Sequence, residues 1–365
     1  LEYWERTLGT TVEDPLARFS GARVFVTGHT GFKGSWLVAL LSRLGARCFG
    51  YSIDVPTTPS LFEEARLAND LAGHEFGDIR DASRLQDAVS RARPDVVFHL
   101  AAEPLVLASL ADPARAFEVN CHGTVQMLEA IRKRSGVLAA LMITTDKVYR
   151  PRADRPLVED DSLGGEDPYS ASKAAAEIAI ASYRESFFRQ GTIVASARAG
   201  NVIGGGDWAN YRLLPDLARA AQGDGCITLR YPSAVRPWQH VFDALEGYLR
   251  VAVRALSGDR SAGDAWNFGP SASDHATVQE VVQMFSSEYG FAPTITIEAA
   301  PALENPTLRL DSSRARSLLD WHPVLDGRGS VRATADFYRA RANGSDVRSL
   351  LFSQIDELLQ RVEHA

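Results

Sequence analysis

Cysteine is scarce in this chain: 365 residues hold only Cys48, Cys121 and Cys226, odd in number and far apart. With no Cys-x-x-Cys pair and no histidine cluster nearby, neither a disulfide framework nor a zinc or other metal site is expected. Long apolar runs are missing too. No window reaches the roughly 18 consecutive apolar residues that span a bilayer, and no basic segment followed by an apolar run opens the chain. A cytoplasmic protein with no membrane partner is expected. Blocks of one charge sign are also absent, since 39 basic and 46 acidic residues, net −7, are interspersed along the chain. That distribution argues against a nucleic-acid partner. Nor is there an internal repeat or a low-complexity stretch. What is present is a chain with 45% hydrophobic residues, long enough for one large domain or two closely packed ones.

The most informative stretch runs from Arg23 to Ser35. Residues 23–27 mix β-branched and aromatic side chains and break at Gly28, which predicts a buried strand ending in a turn. Gly28, Gly31 and Gly34 follow at Gly-x-x-Gly-x-x-Gly spacing, and Trp36, Leu37, Leu40, Leu41 and Leu44 then recur at helical spacing. A glycine turn between strand and helix lets backbone approach a pyrophosphate and aims the first helical amides at it.

Residues 1–20, with Tyr3 and Trp4, are expected as a surface-packed arm. Further strands are expected at 46–52, 74–79, 95–102, 138–144 and 192–199, and helices at 112–135 and 168–189. This alternation predicts an α/β fold, a Rossmann-type doubly wound parallel sheet. Ligands bind such sheets at the carboxyl ends of the strands, so Gly28, Ser52, Asp78, Ala101, Thr145 and Gly200 should face one crevice. Ser52 stands where dinucleotide folds place an acid on the adenosine ribose. Asp54 could substitute for it, whereas Ser52 with Lys33 leaves room for a ribose 2′-phosphate; the cofactor is NAD or NADP, and NAD is the one expected. Asp78 is placed to accept from an adenine amino group, Asp81 equally well as a helix N-cap. Ala101 and Ala102 leave space for a flat ring, and Asn120 is buried by position. Beyond Asn201 the pattern changes to a smaller C-terminal α+β lobe, with helical spacing at 278–289, 330–341 and 351–362. Residues 1–200 are thus expected to carry the arm and the dinucleotide domain, and 201–365 mainly a substrate lobe, with 236–268 returning to the first domain.

Tyr169 and Lys173 lie four residues apart on one face of a predicted helix. A cation beside a phenol stabilises phenolate and lowers a pKa that is otherwise near ~10, which makes the tyrosine a usable base. Together with the glycine loop and Thr144-Thr145-Asp146-Lys147 at a strand end, this pair resembles the extended short-chain dehydrogenase/reductase (NAD-dependent epimerase/dehydratase) family over nearly the whole chain. Within it, the stretches at 28–35, 56–63, 145–147, 198–208 and 236–241 resemble the sugar-nucleotide 4,6-dehydratases, with CDP-glucose as the implied substrate. The lysine of Thr-Asp-Lys, where related dehydratases carry glutamate, is the specific mark.

The resemblance implies that Tyr169 takes a proton from a sugar hydroxyl, that Lys173 tunes it and holds the nicotinamide ribose, and that Thr145 bonds the reacting oxygen. Asp146 is the candidate acid and Lys147 the candidate base of a water elimination. These two roles require that burial raise the Asp146 pKa and that burial or Lys173 lower that of Lys147; the alternative for the pair is a surface ion pair. Cofactor contacts are expected from Gly28, Thr30, Gly31, Phe32, Lys33 and Gly34 in the loop. Ser52, Asp54, Asp78 and Ile79 are expected at the adenosine end, and Leu100, Ala101, Ala102, Asn120, Tyr169, Lys173 and Arg198 around the nicotinamide. Asn201 and Arg236 are expected on the diphosphate, a group that guanidinium matches in geometry. Glu103, Arg212, Leu213 and His240 complete the expected substrate set, although His240 and Trp238 are as readily packing residues; Trp208 and Trp321 are expected in the core.

Three regions depart from the dehydratase pattern. Glu103 replaces a glutamine, Leu107 an arginine, and Pro306-Thr307 a His-Tyr pair, while the 149–167 loop lacks the usual aromatics. Two other readings therefore stay open: a nucleotide-sugar 4-epimerase or reductase, and a non-catalytic nucleotide-binding protein. A homodimer through the 112–135 and 168–189 helices is implied as well.

Overall fold

The structure is a computed structural model that describes residues 15–152, 154–271, 274–298 and 308–364. Seven strands form the main sheet: β1 (Arg23–Thr27), β2 (Arg47–Ser52), β3 (Leu71–Phe76), β4 (Val96–His99), β5 (Ala139–Ile143), β6 (Ile193–Ala199) and β7 (Ala265–Phe268). All are parallel, in the order β7-β6-β5-β4-β1-β2-β3. The longer helices are α1 (Phe32–Arg43), α2 (Ala82–Ala92), α3 (Gly123–Arg132), α4 (Pro168–Phe187), α5 (Leu213–Gln222), α6 (Val241–Leu256), α7 (Val278–Tyr289), α8 (Gly327–Ala342) and α9 (Val347–Glu363). Among the described residues, no helix is long and apolar enough to cross a membrane.

Crossover helices cover both faces of a parallel sheet, so its central strands are apolar throughout. Every residue of β4, β5 and β6 is buried accordingly. One face packs Trp36, Leu37 and Leu40 of α1 against Leu245 and Leu249 of α6; the other packs Leu85 and Val89 of α2 against Met127, Leu128 and Ile131 of α3. Residues 241–268 supply α6 and the edge strand β7 to this sheet, and Leu351, Ile355 and Leu358 of α9 join the α1 cluster. A separate core gathers Trp208, Leu214 and Leu217 with Val281, Phe285 and Tyr338 from α5, α7 and α8. The indoles of Trp321 and Trp238 are buried and donate to backbone carbonyls of Asp243 and Ala276, so both are packing residues.

The third strand lies earlier than its pattern indicates: it ends at Phe76, before Asp78. It is an edge strand with mostly exposed or half-exposed residues, so hydrophobic alternation gives no frame for it. Asp81 caps α2 by accepting from the Arg84 amide. The expected 112–135 helix is broken into Pro113–Phe117, a π turn at Glu118–His122, and α3. A short helix at Val106–Ala111 precedes it. The arm residues Tyr3 and Trp4, and the Pro306-Thr307 departure, lie outside the described residues.

Candidate functional site

The crevice begins at the glycine turn after β1. Gly28 sits at φ +73°, and a Cβ there would lie 2.8 Å from the Ala101 nitrogen. A Cβ on Gly34 would come within 2.1 Å of the Gly28 carbonyl. Gly31 caps α1 with no side-chain bond, which leaves the first helical amides free for an anion. This cradle, which any larger side chain would fill, fits the pyrophosphate of a dinucleotide.

At the end of β2 the Ser52 hydroxyl is 2.8 Å from His29 Nδ1 and accepts from the Thr30 amide at 3.3 Å. His29 was not among the expected site residues. Its ring occupies the space left by Gly50, whose added Cβ would meet it at 2.4 Å. Thr30 donates its hydroxyl to the Asp54 carbonyl at 2.6 Å, and the Asp54 side chain is exposed. Asp78 is clamped by Arg80 at 2.7 Å, which holds its carboxyl below the usual range, and Ile79 packs beneath Gly123.

Three expected cofactor contacts need correction. Lys33 is not at the ribose end. It occupies the second position of α1 and reaches across the strand ends, with Nζ 3.5 Å from the Tyr248 hydroxyl and in the field of Lys173, Asp146, Asp207 and Arg212. Burial pushes it down to about 8. No cation for a 2′-phosphate is therefore supplied by this loop, in keeping with NAD. Asn120 is a clip between segments: Oδ1 accepts from the Glu103 amide at 2.8 Å, and Nδ2 donates to the Glu103 carbonyl and to Ser172 Oγ at 3.1 and 2.9 Å. Arg198 is consumed inside the protein. Its Nε and Nη2 donate to Glu177 at 3.0 and 2.8 Å, and Nη1 donates to the Tyr149 hydroxyl and the Glu159 carbonyl at 2.7 and 2.9 Å.

Where β5 ends, Thr145 caps a short 3-10 turn at Asp146–Val148 and its hydroxyl donates to Asp146 Oδ1 at 3.0 Å. The Thr145 side chain also bonds the Tyr169 phenol. Asp146 is 3% exposed and its Oδ2 is buried without a partner, so burial raises its pKa against the pull of Lys147, Arg236 and Lys33. Half-buried Lys147 follows it in the same turn. Lys173 donates to the Ile143 carbonyl at 3.0 Å and is pushed down to about 8 by burial. Tyr169 does not have the lowered pKa that its lysine neighbour suggests. Burial pushes it up to about 12, opposed by the Thr145 bond and Arg212, while the Lys173 amine donates to the β5 carbonyl. The whole chain contains only four lysines, at 33, 133, 147 and 173. Three of them stand in or beside this crevice.

On the side of the core around Trp208 and Tyr338, Arg212 pairs with Asp207 at 2.8 Å, and Leu213 starts α5. Arg236 is buried and acts on Asp146, while the Asn201 carbonyl accepts from the Gln239 amide at 3.1 Å. Next to Arg212, a cleft of about 600 Å³ is lined by Asn210, Tyr211, Asp216, Arg219, Arg230 and Glu298. Glu103 reaches Arg115 at 3.5 Å. Leu100, Ala101 and Ala102 line the turn after β4, half-buried, and Phe32 abuts Gly204.

His240 is a helix cap and not a ligand. It is fully buried edge-on against Trp36, its Nδ1 accepts from the Phe242 amide at the start of α6, and Nε2 has no partner. Burial holds it down to about 3 from 6.5, so the folded chain keeps it neutral. Its share of stability is complete above pH 6.5 and is lost as pH falls. Asparagine keeps the cap without the titration, so in His240→Asn the drop in unfolding free energy from pH 7 to pH 5 should shrink by about 2 kcal/mol. Urea unfolding at the two pH values reads this directly, and an unchanged drop would refute it.

Residues 24–269 match the NAD dependent epimerase/dehydratase family. The chain is 40% identical to the CDP-glucose 4,6-dehydratase of Salmonella typhimurium over 340 residues, covering 90% of this chain and 94% of the relative. An epimerase structure from Methanothermobacter thermautotrophicus superposes with a TM-score of 0.80 at 23% identity, over 93% of this chain and 98% of that one. A dTDP-glucose 4,6-dehydratase structure from Streptomyces venezuelae, solved with NAD bound, gives 0.76 at 24% identity over 88% and 98% of the two chains. At these identities the two structures speak for the fold. The long family match and the 40% identity speak for descent, and the chain belongs to the NAD dependent epimerase/dehydratase family.

Proposed function

We propose that this protein is a sugar-nucleotide 4,6-dehydratase that converts CDP-glucose to CDP-4-keto-6-deoxyglucose. The observation that carries the reading is the joint placement of Tyr169, Thr145 and a buried Asp146 whose pKa is raised, at the end of β5 beside the glycine cradle. The reading is supported by 40% identity to a CDP-glucose 4,6-dehydratase. A 4-epimerase has no leaving group to protonate, so it would leave Asp146 and Lys147 without a task.

Gly28, Gly31, Gly34 and the first turn of α1 would hold the pyrophosphate of NAD, Ser52 its adenosine ribose, and Lys173 its nicotinamide ribose. Bound there, NAD would supply the hydride acceptor for carbon 4 and the hydride donor for carbon 6. Tyr169 accepts the proton of the 4-hydroxyl when it reacts as phenolate, the form that Thr145, Arg212 and Lys173 favour against the burial that raises its pKa. The 4-ketone so formed acidifies the hydrogen on carbon 5. Lys147 removes that proton, and Asp146 donates its own to the departing 6-hydroxyl, so that water leaves. Lys147 then returns a proton to carbon 5. Arg236 and Asn201 bind the diphosphate, Arg212 and Leu213 lead the nucleotide into the neighbouring cleft, and Glu103 meets the hexose.

Purified protein given NAD and CDP-glucose should release a sugar nucleotide lighter by one water, by mass spectrometry, with no net build-up of NADH. Unchanged CDP-glucose, or steady NADH release, would overturn the reading. We place the protein in the cytoplasm, in keeping with its free cysteines. We also propose a homodimer, because the adjoining helices around Val106–Phe117 and α4 leave Leu107, Leu110, Phe117 and Ile178 exposed. Light scattering on the same sample reads the mass.

A further inference from the structure

Tyr169, Lys173 and Glu177 follow one another at four-residue steps along α4, so each lies about 6 Å further along the axis on one face. Glu177 is buried at 3% exposure, yet its carboxylate is fully used. Oε2 accepts from Ser196 and from Arg198 Nη2, both at 2.8 Å, and Oε1 accepts from Arg198 Nε at 3.0 Å and from the Thr144 hydroxyl. Arg198 is in turn held by Tyr149, whose hydroxyl donates to Asn267 of β7 at 2.7 Å. A buried carboxylate with four donors stays ionised. It also touches both halves of the site, since Thr144 directly precedes Thr145-Asp146-Lys147 and α4 carries Tyr169 and Lys173.

We propose that Glu177 is a positioning residue, one that locks the Thr145-Asp146-Lys147 turn to the Tyr169 helix and supplies the negative field that keeps the Lys173 amine charged. In its catalytic consequence this rests on the dehydratase reading; the effect on Lys173 does not. The groups around Lys173 leave Glu177 as the anion acting on it. His99 of β4 is held neutral, Lys33 of α1 is a like charge, and Tyr169 is a protonated phenol. Burial pulls the Lys173 amine down to about 8 and Glu177 is the charge that opposes it. Composition agrees with a selected amine. The 39 basic residues include only four lysines, and an arginine at 173 would ignore both burial and Glu177.

Four lysines also make the test direct. In protein labelled with ¹³C at the lysine ε-carbons, Lys173 is assigned by its loss in Lys173→Arg and titrated by NMR in the full chain. The wild-type midpoint should lie near pH 8, and in Glu177→Gln it should fall by about 1 pH unit. Glu177→Gln leaves Arg198 buried without its partner and risks misfolding, so Glu177→Gln/Arg198→Met is the second variant. It removes the buried pair together and should still show the lowered midpoint. An unchanged midpoint in the double variant overturns the proposal. With CDP-glucose, the alkaline limb of kcat should move down with the Lys173 midpoint, and Glu177→Asp should restore much of it; a limb that stays in place while the midpoint moves also overturns it. If wild-type protein turns over no CDP-glucose, the dehydratase reading fails while the titration still decides the role of Glu177.

Discussion

Tyr169→Phe should lower kcat on CDP-glucose by about 10²–10⁴-fold, the usual worth of a positioned acid or base, while NAD affinity stays at its wild-type value and the melting temperature falls by no more than about 4 °C. The phenol bonds Thr145 and the ring packs at the start of α4, so phenylalanine fills the same space and leaves only one buried hydroxyl to find another partner. That structural loss is about 1 kcal/mol, too small to unfold the protein. The catalytic loss is larger because no other group stands where the 4-hydroxyl proton must go. Single-turnover assays with CDP-glucose, beside calorimetric melting and NAD titration, separate the two. Activity within threefold of wild type would remove Tyr169 from the reaction. An equal loss of stability would make it a packing residue.

The second large effect belongs to the elimination. Asp146→Asn is nearly isosteric, and since burial already favours the neutral carboxyl, the amide should be tolerated by the fold. It cannot give a proton to a leaving hydroxyl. Oxidation at carbon 4 should proceed while loss of water slows by about 10²–10⁴-fold, so a 4-keto hexose that still carries its 6-hydroxyl should accumulate to one equivalent per site. Lys147→Ala should stop at the same point, with the added mark that deuterium from solvent no longer enters carbon 5. Mass spectrometry of quenched single turnovers reads both. If Lys147→Ala completes the reaction at the wild-type rate, the base lies elsewhere; if neither variant nor wild type ever loses water while the carbon 4 configuration changes, a 4-epimerase becomes the better reading.

Some of this site was legible before any fold was known. The Gly28-Gly31-Gly34 turn and the Tyr169-Lys173 step are local: one needs only a strand and a helix on either side, the other only helical periodicity. Asp146 could be singled out by type and neighbourhood, but whether it is an acid depends on desolvation, which no spacing encodes. Arg198 shows the limit more clearly. By motif it stands at the crevice end of β6, yet Glu177, Tyr149 and Glu159, up to 49 residues away in the chain, claim its guanidinium. Lys33 was misplaced for a related reason, since a side chain of four methylenes points wherever α6 and the second lobe leave room for it. Asn120 sits in a π turn that shifts the helical frame, and no periodicity announces such a turn.

Local order along the chain was enough to predict the alternation of strands and helices, the glycine turn after β1 and the four-residue step from Tyr169 to Lys173, because each follows from periodicity and short-range sterics. Contacts across the fold were needed to assign protonation states and partners: a neutral His240, a raised Asp146, a charged Glu177 and an Arg115 paired with Glu103. Burial and field are sums over atoms brought together from distant segments. They come into being only when β1, β5, β6, α4 and the second lobe close on one another.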